Sequence, residues 1–155
     1  MRQFENNYLQ VPLQIRRIEG REKSRAIGIV DSIKQFIRII LTSKFGDYAY
    51  DSDFGCSIWE HEYDLIYDFE KWKKEIESSI KEALKENEKR LTDIRVSMQS
   101  FKKISSGDTR DRDGKSNLLK YKLSIEISAA FRLTKEPFYH TDQFYIGPMA
   151  FDKSY

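Results

Sequence analysis

The residues best suited to chemistry lie between Asp47 and Asp64, where Asp47, Asp51, Asp53, Glu60, Glu62 and Asp64 follow one another closely. Two carboxyls suffice for glycoside hydrolysis if an apolar pocket holds one protonated while the other stays ionised. The segment supplies many pairs, as any acidic stretch would, but its sequence does not build that pocket. Cys56 has His61 nearby, yet no residue pattern orients that base or polarises the thiol. Packing of a small half-buried side chain is the simpler expectation. A zinc site drawn from His61, His140 and either Glu62 or Asp64 has competent ligand types without a compact ligand spacing. Two surface histidines account for the same residues.

The stretch DTRDRDGKSN, Asp108 to Asn117, has the outline of a calcium loop. With Gly114 at the glycine position, Asp111 and Asp113 fall on ligand positions. Thr109 and Lys120 then occupy the first and last ligand positions, and Arg110, Arg112 and Lys115 would repel the ion. A hairpin loop turning at Asp113–Gly114 is the better reading. The seven glycines are dispersed and form no phosphate cradle, and no serine sits in a nucleophile elbow. The expectation is therefore no catalytic residue, no metal, no cofactor and no small-molecule substrate.

These residues need elements to position them, and 155 residues are enough for one domain with its own core. Charged residues make up 34% and hydrophobic ones 39%, the balance of a folded soluble chain. No apolar run approaches the roughly 18 residues of a membrane span, and the N-terminus has no apolar leader core. Cys56, the single cysteine, cannot form an internal disulfide, which suits a reducing, cytoplasmic setting. A formal net charge of +2 argues against nucleic acid as the main partner. The charge is uneven, with eight acids against one base from Lys44 to Glu70 and ten bases against six acids from Lys71 to Lys103. Solvated faces and partner surfaces produce such asymmetry.

Residues 1–24 read as an arm, either a partly disordered terminus or an extended segment that docks on a neighbouring subunit, residues 25–146 as the domain, and 147–155 as a C-terminal tail. A first helix is expected from Val30 to Ser43, with Val30, Ile33, Ile37, Ile40 and Leu41 on one face. Lys44 and Gly46 supply its stop signal. A second helix is expected from Asp68 to Arg90, capped by Asp68, with a stripe of Phe69, Trp72, Ile76, Ile80, Ala83 and Leu84. Glu70–Lys74, Glu77–Lys81 and Glu86–Arg90 have the favourable acid-first spacing on its outer face. The period then changes to two. Ile94, Val96 and Met98 alternate with polar residues, as do Leu119 to Phe131 after the loop. The second run is longer than a typical strand, which predicts a bulge or an end protruding from the sheet, and a third strand covers Phe138 to Ile146. The fold expected is α+β, two main helices packed on a small, mostly antiparallel sheet of three or four strands.

The ordered motifs LTSKFGDYAYDSDFGC, ALKENEKRL and TDIRVSM resemble the baseplate wedge proteins of contractile phage tails. This is the T-even "tail lysozyme" or sheath-initiator family, which includes TssE, the baseplate subunit of type VI secretion systems. Leu41, Thr42, Gly46, Phe54, Gly55 and Cys56 match the family pattern after the first helix. Tyr48 and Ser52 replace an Arg and a Pro, and Glu88-Lys89-Arg90-Leu91 replaces Glu-Pro-Arg-Leu. The match spans about residues 25 to 132 and is most like a divergent TssE branch. The resemblance implies a structural subunit of a type VI system or phage-like tail, with baseplate wedge subunits and the contractile sheath protein as partners. It implies that Glu88, Arg90 and Leu91 engage the wedge core bundle and that the sheet starts the sheath by exchanging strands. Gly46, Asp47, Phe54 and Gly55 become the turns of a shaped connector. On this expectation Arg90→Glu leaves the domain folded and removes it from the wedge. Without the resemblance, Arg90 is an ordinary helix-terminal partner of Glu86. An exposed sheet edge and the rings of Phe138, Tyr139, Phe144, Tyr145, Phe151 and Tyr155 fit a docking role independently. The alternative is a peptidoglycan-degrading tail lysozyme working through paired carboxylates.

Overall fold

The computed structural model describes residues 8–11, 26–61, 68–105 and 119–146. The arm apart from 8–11, residue 25, the loop 106–118 with its calcium-like stretch, residues 62–67 and the tail 147–155 lie outside them. Strand β1 (Tyr8–Leu9) pairs antiparallel with β2 (Ala26–Ile27), joining Tyr8 to Ile27 and Leu9 to Ala26. Helix α1 (Ile29–Thr42) follows, then a 3-10 turn at Ser57–His61 and helix α2 (Phe69–Asn87). Strands β3 (Leu91–Ser105), β4 (Leu119–Phe131) and β5 (Pro137–Ile146) form an antiparallel meander in that order. The expected α+β class is the observed one.

Helix α1 forms because Ile33, Ile37, Ile40 and Leu41 recur on one face, and all four are fully buried. Val30, assigned to that face by its spacing, is 40% exposed, since the helix turns it outward at its first turn. In α2 the expected stripe is the buried one, Trp72, Ile76, Ile80, Ala83 and Leu84, with Phe69 packed at its margin. The Asp68 side chain accepts the Lys71 amide at 3.0 Å, satisfying one orphan donor of the first turn. The helix ends three residues earlier than its charge pattern suggests, because Glu88 leaves helical geometry at φ −104°, ψ 83°. The ion pairs on its outer face are Lys71–Glu75 and Lys73–Glu77, both 3.9 Å, rather than the acid-first pairs. Glu77 is drawn away from Lys81 because it also accepts the Met98 amide of β3 at 2.7 Å.

The sheet's inner face carries Ile94 and Met98, then Leu123, Ile125 and Ile127, then Phe138, Phe144 and Ile146. These join the helical stripes in one core. Each fully buried Ile or Leu contributes about 1.5–3 kcal/mol. Strand β3 runs well beyond its alternating core, from Leu91 to Ser105, because β4 offers partners along that whole length. The ladder has two register shifts, at Thr92/Arg95 and Met98/Ser100. Both insert the extra residue on β3 rather than on β4. Among the described residues no helix is long and apolar enough to cross a membrane.

Candidate functional site

The segment from Ser43 to His61 folds back over the end of α1. That end is the place to ask where orphan carbonyls find donors. Thr42 Oγ1 donates to Arg38 O at 2.8 Å, and Ser43 Oγ donates to Ile39 O at 2.7 Å. The Ser43 amide reaches Ile40 O at 3.3 Å. Leu41 O accepts from Trp59 Nε1 at 2.8 Å, with Cys56 Sγ 3.8 Å away. Ser43 O accepts the Cys56 amide at 3.3 Å. Ser43, not a glycine, is the C-cap, in extended geometry. Gly46 therefore plays a different part from a helix-stop residue. Its φ is +85° and its amide donates to Ser52 O at 2.9 Å, closing a loop.

Gly55 is held more tightly. Its φ is +129°, and a Cβ there would lie 2.6 Å from Ser43 O. A side chain would break the contact that brings Cys56 beneath the helix. Asp47 accepts the Lys44 amide at 2.8 Å and donates its own amide to Lys44 O at 3.1 Å. Phe54 packs against the core between Phe36 and Tyr48, with ring centroids 6.2 and 5.0 Å away. All four connector residues singled out from the sequence are thus turn-forming or turn-packing groups. The Ser57 amide ties the connector to α2 through Ser79 Oγ at 3.0 Å.

The second set of site residues lies where α2 gives way to β3. Glu88 is 2% exposed, and Leu91 is 3% exposed. The Glu88 carboxylate takes Arg90 Nε at 2.8 Å on Oε1 and Arg90 Nη2 on Oε2, a two-pronged pair. It also accepts the Arg90 amide at 3.0 Å. Arg90 Nη1 donates to Ser32 Oγ of α1 at 3.0 Å, and the guanidinium lies 5.2 Å from the centre of the Tyr8 ring. The Glu88 hydrogen bonds push the Arg90 pKa further up. Arg90 thus pairs with Glu88 and not with Glu86, because the chain has already left the helix. One guanidinium joins the end of α2, the start of α1 and β1. Ser32 and Tyr8 escaped the sequence reading because neither separation follows a helical or strand period.

The residues considered for catalysis fare differently. Asp47, Asp51, Asp53 and Glu60 are exposed, not enclosed in the apolar pocket that such a carboxyl pair needs; Glu62 and Asp64 lie outside the described residues. Cys56 is fully buried rather than half-buried. Burial pushes its thiol up to about 11, with Glu60 adding to the shift and a backbone hydrogen bond at Ile58 opposing it. The thiolate a nucleophile needs is disfavoured. His140 is not a surface histidine. It lies on the inner face of β5, its Nε2 3.7 Å from Asp142 Oδ2, and Arg38 Nη1 of α1 lies 3.9 Å from Asp142 Oδ1. The alternation of β5 already put His140 and Asp142 on the side of Phe138 and Phe144. No cluster of three metal-ligating side chains exists among the described residues.

The family model described as baseplate wedge protein gp25 matches residues 28–136, from the cap of α1 through the β4–β5 turn. Two solved structures share the fold. A protein from Geobacter sulfurreducens described as a "putative tail lysozyme" is 25% identical, with a TM-score of 0.53 over 83% of this chain and all of that one. A chain of the baseplate complex from the type VI secretion system is 12% identical, with a TM-score of 0.50 over 76% of this chain and 93% of that one. No curated protein sequence matches.

Proposed function

The chain belongs to the baseplate wedge protein gp25 family, and from that premise we propose that it is a non-enzymatic subunit of a contractile injection machine that binds wedge subunits and initiates sheath polymerisation by strand pairing. The machine is a type VI secretion system or a phage-like tail, with the baseplate assembled in the cytoplasm. The observation that carries the sheath role is the open edge of the sheet. Strand β5 spans ten residues and pairs only with β4 among the described residues. Backbone groups on such an edge are a template for an added strand. Tyr139 and Tyr145, 72% and 39% exposed, are rings placed to grip it.

Strand β3, the other edge, is less open. Glu77 occupies the Met98 amide, and two bulges twist the strand. The wedge contact falls at the Glu88–Arg90–Leu91 corner. With Glu88 and Leu91 buried, Arg90 is the member that meets the core bundle, and the other two hold it in place. The exposed carboxylates of the connector favour this structural role over the tail-lysozyme alternative. Affinity purification of the tagged full chain from its native bacterium, with mass spectrometry, tests the proposal. Wedge subunits and sheath protein are the expected companions. Recovery of the protein alone from expressing cells, under gentle lysis, overturns it, and clearing of purified cell walls by the protein would establish the alternative.

A further inference from the structure

A cleft of about 440 Å³ opens between the last turns of α2 and the first residues of β3. Lys81 and Lys85 form one wall, and Arg95 and Arg132 form the other. All four are exposed, and none has an ion-pair or hydrogen-bond partner for its side chain among the described residues. Two acids close by in sequence are engaged elsewhere. Glu77 is held by Lys73 and the Met98 amide, and Glu82 takes the Ser78 hydroxyl at 3.4 Å. Asp93 is the one acid lining the cleft. It occupies a left-handed conformation, φ +53°, inside the bulge between Thr92 and Arg95. The floor is apolar, made by the nearly buried Leu91 and Ile94.

We propose that this cleft binds an acidic segment of another baseplate subunit, with carboxylates on the four cations and an apolar side chain on the Leu91–Ile94 floor. The inference rests on the baseplate reading and adds to it a site separate from the Glu88–Arg90 corner and from the β5 edge. Charge complementarity selects the occupant. Four unpaired cations around one acid attract a polyanion, and an apolar floor suits a peptide better than a phosphate chain. A nucleic-acid track would need a continuous basic stripe, whereas α2 interrupts its lysines with Glu75, Glu77, Glu82 and Glu86. The bulge has a part in the site, since Thr92, Asp93, Ile94 and Arg95, the residues of the register shift, all line the cleft.

The test uses the tagged full chain in its native bacterium. Lys85 is replaced by the photo-cross-linking residue p-benzoylphenylalanine, and cross-linked partners are read by mass spectrometry. In parallel, Arg95→Glu with Arg132→Glu, and Lys85→Glu alone, are compared with wild type for incorporation into the baseplate. Circular dichroism melts check that each variant folds. The expected result is a cross-link to an acidic segment and a loss of incorporation of about tenfold or more, the scale of losing close charge pairs. Lysines placed at the partner's acids then restore incorporation of the reversed variants. A cross-link to a neutral or basic segment, to nucleic acid, or to this chain's own residues 147–155 overturns the proposal. So does unchanged incorporation of the folded variants. A wild-type chain that brings down no baseplate subunit overturns the baseplate reading itself, a separate outcome read before any variant is compared.

Discussion

Helix α1 ends under a neutral cap built by residues up to 18 positions away, with Trp59 and Cys56 brought to Leu41 O. Helix α2 ends directly on an ion pair, the buried C-cap Glu88 with the part-buried Arg90, that reaches back to Ser32 and Tyr8. Both ends lie in the segments on which the sequence resembles the family, yet they are held differently. The first cap spreads its work over several weak donors, so the loss of one leaves others in place. The second concentrates it in one guanidinium, whose removal strands a charge. The difference shows that a family motif can be demanding for two unrelated reasons, close backbone approach at Gly55 and charge compensation at Glu88.

The largest effect is expected at the ionic end. Arg90→Met leaves the Glu88 carboxylate buried with no cation, a loss of about 3–5 kcal/mol. Urea unfolding followed by circular dichroism measures it. Glu88→Gln in the same chain recovers a large part, because the stranded charge is gone. Arg90→Glu places a second acid beside Glu88 and destabilises at least as much, contrary to the expectation that this variant stays folded. A baseplate assembly assay at this corner is better served by Arg90→Lys, which keeps the charge and gives up the two-pronged geometry. A loss under about 1 kcal/mol in Arg90→Met would place the pair among surface bridges and erase the contrast between the two ends.

The neutral end has its own demanding position. Gly55→Ala sets a Cβ against Ser43 O in a backbone conformation that side chains rarely adopt, and about 3 kcal/mol is expected to go. Gly46→Ala supplies the control. Its φ is also positive, but no atom lies within 4 Å of the added carbon, so about 1 kcal/mol is expected. Equal losses in the two variants would mean that φ alone sets the cost and that the close approach to α1 contributes nothing.

Both helices and all three long strands were legible in the sequence, because their hydrophobic periods match the faces that are buried. The connector was legible as a turn region, but its purpose was not. Gly46 and Gly55 look alike in the sequence, and only the distance to Ser43 O separates them. Glu88 and Arg90 were found through the family motif rather than through any period. The i,i+4 spacing predicts a Glu86–Arg90 pair instead, because that rule assumes a helix that has already ended at Asn87. The basic cleft was visible only as a bulk charge excess from Lys71 to Lys103. Which cations stay unpaired depends on Glu77 turning to Met98, a contact between elements that a one-dimensional pattern does not carry.

Cys56 connects the neutral end to pH. Its thiol is raised from 9.0 to about 11 in the folded protein, chiefly by burial. Below pH 9 folded and unfolded chains both carry the proton, and the stability is fully present. As pH rises from about 9 to about 11 the unfolded chain loses the proton first, and stability falls by about 2 kcal/mol. Urea midpoints at pH 8 and pH 10.5 measure the fall, and Cys56→Ala is expected to flatten it. An unchanged slope in Cys56→Ala would assign the fall to other groups and leave the thiol outside the cap's energetics.

The smallest effect should come from Trp59→Phe, which keeps the ring against Phe144, 6.3 Å away, and removes only the indole donor. Leu41 O still has Cys56 Sγ nearby, so the loss is expected to stay near 1 kcal/mol. Trp59→Phe combined with Cys56→Ala removes both donors and leaves a carbonyl at the helix end without either partner. If the neutral end works by sharing, the double variant loses more than the two single variants together. Strict additivity would mean that the thiol contributes packing alone. The cap would then rest on Trp59 in the way the ionic end rests on Arg90.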